Sequence, residues 1–88
     1  MEINATLVQK LKNMRKEGIY ICDMIREIHN FFGLKSYVRG ITFLYLRAVF
    51  SVSINDLSVI GGWKSFEDGG NFTDEEIESQ LTNLIVKG

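Results

Sequence analysis

Between Ser36 and Phe50 the chain reads SYVRGITFLYLRAVF, in which Arg39, Thr42 and Arg47 are the clearly polar positions. Apolar residues recur at Tyr37, Ile41, Leu44 and Ala48, and a second row runs through Val38, Phe43, Tyr45, Leu46 and Val49. A single apolar stripe at helical spacing describes a surface helix. Apolar residues nearly all round describe a helix wrapped by others. The pattern predicts a central helix over 36–50, capped by Ser36, with the remaining helices packed around it.

The flanking segments carry one-sided patterns. Leu7, Val8, Leu11 and Met14 form the inner face of a helix over Ala5–Glu17, with Asn4 placed to accept from its first amides. Gly18 ends it from a left-handed C′ position. Ile21, Ile25, Ile28 and Phe32 repeat at four, three and four residues, predicting a second helix over Tyr20–Phe32 that Gly33 stops and Leu34 closes. Ser53 with Asp56 suggests a short helix over Ile54–Ile60, ended by Gly61-Gly62. A loop follows to Phe72, with Trp63 and Phe66 as anchors into the core. Thr73 with Glu76 is a capping box, and Asp74, Glu75 and Glu76 place acids where the helix dipole favours them. The last helix faces the core through Ile77, Leu81, Leu84 and Ile85, and Lys87-Gly88 end it. The fold class is all-α: four main helices and one short one, in a single domain over residues 1–88.

Composition narrows the setting. A chain of 88 residues buries roughly 60 to 65% of its unfolded surface, enough for one core. There is no proline, so glycine carries the punctuation. The single cysteine, Cys22, cannot form an internal disulfide, which suits a reducing cytosol. No signal-peptide pattern stands at the N-terminus, and Ile41–Val52 is too short and too interrupted to span a bilayer. The expectation is a soluble cytoplasmic protein with no membrane partner.

The net charge of −1 offers no global attraction for nucleic acid. Its distribution is uneven: residues 1–60 carry a net +3 and residues 61–88 a net −4. An acidic C-terminal region suits a basic partner, because opposite potentials steer encounter.

Catalytic chemistry finds little support. Cys22 and His29 sit seven residues apart, about 10 Å along a helix, too far for a thiol–imidazole pair. No second Cys or His exists to complete a metal site. The glycines at 61, 62, 69 and 70 lack the Lys-Ser/Thr of a phosphate loop. The reading is therefore not an enzyme, with no cofactor and no metal. Lys10, Lys12, Arg15 and Lys16 on the first helix allow an alternative, a small nucleic-acid-binding regulator. Against it, the helix that would read a groove is the most apolar in the chain. The segment GGWKSFEDGGNF gathers an indole, two phenylalanines and two acids beside the acidic helix start. Trp is enriched at binding hot spots, and acids around it favour a basic target.

The stretches ICDMIREIHNFFGL and SINDLSVIGGW, within Ile19–Leu84, resemble small helical immunity proteins of bacterial contact-dependent growth inhibition and colicin systems. The resemblance implies a protein that binds a cognate toxin domain, often a nuclease, and occludes its active site. Nuclease sites are basic, so an acidic surface is a physically sensible inhibitor. Charge, rather than any family pattern, then selects Glu67, Asp68, Asp74, Glu75 and Glu78 as partner-binding candidates, with Trp63 as anchor.

Overall fold

Local chemistry sets the helix boundaries. In the computed structural model, which describes residues 3–53, 55–66 and 70–82, the first helix is α1 (Ala5–Lys16). Asn4 caps it, its side chain accepting the Leu7 amide at 3.0 Å. At the other end Gly18 takes φ +83°, with Gly18 N–H donating to Arg15 C=O and Ile19 N–H to Met14 C=O. That pair of bonds is a Schellman stop, which glycine adopts without a Cβ penalty. The second helix, α2 (Ile21–Phe31), ends the same way at Gly33, with Leu34 N–H donating to His29 C=O.

The third helix, α3, runs Arg39–Phe50. Ser36 does not cap it, and the helix starts three residues later than the apolar pattern predicts. The physical reason is Tyr37. Its ring sits between His29 and Trp63, at centroid distances of 4.9 and 5.1 Å. The backbone stays extended through Val38, whose N–H donates to His29 Nε2 at 2.9 Å.

Ser53 and Asp56 do form a reciprocal pair, with the Asp56 amide donating to Ser53 Oγ at 3.2 Å. The pair heads a turn rather than an α-helix over 54–60. A 3-10 segment, Ser58–Gly62, follows it. Gly62 is needed there for a different reason: a Cβ would lie 2.6 Å from the Phe72 ring. That close approach allows Phe72 N–H to reach Gly62 C=O and Lys64 N–H to reach Phe72 C=O. The resulting bridge between Trp63 and Phe72 is the β-type pairing among the described residues.

The fourth helix, α4 (Asp74–Gln80), begins with a complete capping box between Thr73 and Glu76. Ile77 and Leu81 are buried, as the pattern predicts. Leu84, Ile85 and the Lys87-Gly88 end lie outside the described residues.

The architecture is all-α: four α-helices and one 3-10 segment, with no strand among the described residues. The hub is α2, which packs against α1, α3 and α4, whereas α3 packs against α1 and α2. The expectation of a helix over 36–50 surrounded by all the others is corrected accordingly. Ile21, Cys22, Met24, Ile25, Ile28 and His29 are all buried on α2, while Phe43, Leu44 and Ala48 of α3 stay partly open to solvent. Being apolar all round did not place α3 at the centre. None of the helices among the described residues is long and apolar enough to cross a membrane.

Candidate protein-binding surface

Four of the six residues selected by charge and aromaticity fall within the described residues, and three of them face inward. Trp63 is fully buried. Its ring packs edge-on to Phe66 at 5.6 Å, its Nε1–H donates to Asp74 Oδ1 at 2.7 Å, and the Arg26 guanidinium lies over it at 5.3 Å. Trp63 is thus a core residue and not an exposed anchor. A buried indole needs a partner for its N–H, and Asp74 supplies it.

Asp74 also accepts from Arg26 Nη2 at 2.6 Å, while Arg26 Nη1 holds Asp23 at 2.7 Å. Burial pushes the Asp74 carboxyl up, but hydrogen bonds from Arg26 and Trp63 together with the Arg26 charge outweigh it and hold the carboxyl below its ordinary range. The same contacts raise the pKa of Arg26.

Glu78, one turn further along α4, makes a second internal clamp. Its carboxylate meets Arg15 Nη2 at 2.8 Å and accepts the Ile21 amide at 2.9 Å, and the pair is about seven-eighths shielded. Ile21 opens α2, so Glu78 satisfies an orphan donor of a neighbouring helix at its positive end. Asp74 and Glu78 are therefore structural clamps holding α4 to α2 and α1, not free charges for a partner. Glu75 is exposed and remains available. Glu67 and Asp68 lie outside the described residues.

The other candidate chemistries resolve similarly. Cys22 is buried and its thiol is pushed up to about 12, by burial first and then by the charge of Asp74. A thiol so held is a poor nucleophile. Both ring nitrogens of buried His29 are engaged: Nδ1 with Ile25 C=O at 2.8 Å and Nε2 as acceptor from Val38 N–H. That pairing defines the Nδ1–H tautomer. No group of Cys, His, Asp and Glu among the described residues is arranged to hold a metal. On the basic face of α1, Lys10 pairs with Glu27 at 3.0 Å and Arg15 with Glu78, and Lys12 and Lys16 have no ion pair among the described residues.

What the sequence patterns missed is an exposed apolar strip at the junction of α2 and α3. Phe31, Phe32, Leu34 and Val38 are 46%, 38%, 40% and 45% exposed. The pattern sets Phe32 on the inner face of α2 and Leu34 as the residue that closes its stop, yet both stand at the surface. The signal was present in the doublet itself. Residues at i and i+1 point in different directions from a helix, so Phe31 and Phe32 cannot both face one core. Phe31 stacks edge-on against Phe32 at 5.0 Å, and Phe32 leans on Tyr45 at 5.7 Å.

Beyond Tyr45, whose hydroxyl accepts the Asn4 amide at 2.9 Å, the surface opens into a groove of about 570 Å³ on the outer side of α3. Ile3, Leu44, Ala48 and Val52 give it apolar walls, and Arg47 stands at its side.

The comparisons with known proteins leave the chain by itself: no family model, no curated protein and no solved structure matches it.

Proposed function

We propose that this protein is an immunity protein that neutralises a cognate bacterial toxin domain, a nuclease in the reading developed above, by binding it. The observation that carries the proposal is the strip Phe31-Phe32-Leu34-Val38. Four large apolar side chains stand in solvent on one short connection, while Trp63, Tyr45 and Phe50 are fully enclosed nearby. Grouped exposed apolar residues mark interaction surfaces more often than isolated ones do, and aromatic side chains supply much of the energy at binding hot spots. The role needs neither a cofactor nor a catalytic residue, and it places the protein in the cytoplasm beside the toxin it restrains.

Charge enters the proposal in a smaller role than composition suggests. With Asp74 and Glu78 used inside the molecule, Glu75 is the described candidate acid left to steer the protein toward a basic nuclease surface, and Glu67 and Asp68 enter the proposal by their charge in the sequence alone. The strip supplies the affinity and the acids the approach.

Co-expression with a panel of bacterial nuclease toxin domains, including any encoded beside its gene, tests the reading. The wild-type protein should restore growth and co-purify with one of them. Phe31→Ser with Leu34→Ser should abolish both effects while leaving the fold intact by circular dichroism. Glu75→Lys should slow association and leave the dissociation rate nearly unchanged. Failure of the wild type to protect against any toxin of the panel, or full protection by the double variant, sinks the proposal.

A further inference from the structure

The groove on the outer side of α3 (Arg39–Phe50) has the form of a helix seat. Leu44, Arg47, Ala48 and Ser51 follow one another at three, one and three residues, so they lie along a single face of the helix and its cap. The small side chain in the middle of that face, Ala48, allows another backbone to come close. Ile3 and Val52 add apolar lining to it. Seven residues of helix are about 10 Å long, two turns, and an open groove of about 570 Å³ over that length matches an inserted helical face better than an enclosed small molecule.

Two further features give the seat its chemistry. Arg47 is exposed, and no carboxylate among the described residues pairs with it. By contrast Arg15 and Arg26 each hold a carboxylate at 2.8 Å or closer. Ser51, which closes α3 beside the groove, is held at φ +56°, the one positive φ among the described non-glycine residues. A left-handed residue is a common helix stop, and here it leads the chain into Val52, which walls the groove.

We infer that this groove seats an amphipathic helix of a partner protein, its apolar face against Leu44 and Ala48 and an aspartate or glutamate against Arg47. The complement is set by charge: a lone arginine beside apolar walls selects an acidic helix over a basic one. The seat is distinct from the strip proposed to hold the toxin, and each can fail without the other.

A phage-displayed library of helical peptides about three turns long provides the probe, selected on the full chain and counter-selected on Ala48→Trp, which fills the seat. Enriched peptides should carry apolar residues at i, i+3, i+4 and i+7 with at least one flanking acid. Their affinity should fall at least about tenfold in Arg47→Glu, an exposed change whose folding is checked by its melting curve. Phe31→Ser with Leu34→Ser should leave that affinity unchanged. Enrichment of basic or uncharged helices, affinity indifferent to Arg47→Glu, or no enrichment over the Ala48→Trp control overturns the inference. So does dimerisation of the wild type that Ala48→Trp abolishes, which would assign the seat to a second copy of the chain.

Discussion

The two ends of α2 (Ile21–Phe31) are built on opposite principles. Around its N-terminal half, every strong polar group close to the core has a partner: Arg26 with Asp23 and Asp74, the Trp63 indole with Asp74, Glu78 with Arg15 and the Ile21 amide. At its C-terminal end, Phe31, Phe32 and Leu34 each leave more than a third of their surface in water. The first end spends charge on internal cohesion. The second leaves apolar surface unspent, which is the surface the proposed toxin contact uses. An acid in the sequence is thus no guide to an acidic surface until its partner is known.

The sharpest way to break this contrast is Asp74→Ala. It strands the buried Trp63 N–H and should cost about 2–3 kcal/mol, lowering the melting temperature by roughly 8 to 24 °C. Arg26 adds little to that figure, since its side chain is more than a third exposed. A loss no larger than that of Glu75→Ala would mean that the clamp does not hold α4.

Acid should reproduce part of that loss in the wild type. The folded carboxyl of Asp74 is held below its usual 3.8, so the unfolded chain takes up the proton first. The contribution is complete above that value and is lost as pH falls through the depressed folded-state value. Urea midpoints of wild type and Asp74→Asn should converge as the solution is acidified. A pH-independent gap between them would remove Asp74 from the account.

Glu78→Gln should have a smaller effect, about 1 kcal/mol, because the amide oxygen can still accept from Ile21 while the charge opposite Arg15 is gone. At the other end of α2, Phe31→Ser should change stability by no more than about 0.5 kcal/mol in urea unfolding. A larger loss would mean that the strip belongs to the core, and the contrast between the two ends would disappear.

How much of this was legible depends on sequence separation. The caps at Asn4 and Thr73 and the glycine stops at Gly18 and Gly33 are made by residues a few positions apart, and all four stand where the pattern puts them. Arg26 and Asp74 are 48 residues apart, and the Ile21 amide and Glu78 are 57. No local pattern contains such pairs, so periodicity alone leaves Asp74 and Glu78 on the surface. Ser36 shows the same limit from another side: a good local cap lost to Tyr37, whose place between His29 and Trp63 holds the backbone extended. The all-α class survived because it rests on periodicity, which long-range pairing does not alter. Of the candidate site, Trp63, Asp74 and Glu78 are drawn inward by partners that no local pattern contains, while Glu75 stays exposed.

Cys22 offers a way to watch the molecule open. It is the only sulfhydryl in the chain, sealed within α2 and held up to about 12, so an alkylating reagent at neutral pH finds it only in molecules that have come apart. The rate of labelling then becomes a clock for opening, wound by the protein's own residue, with no engineered probe to disturb the packing it reports on.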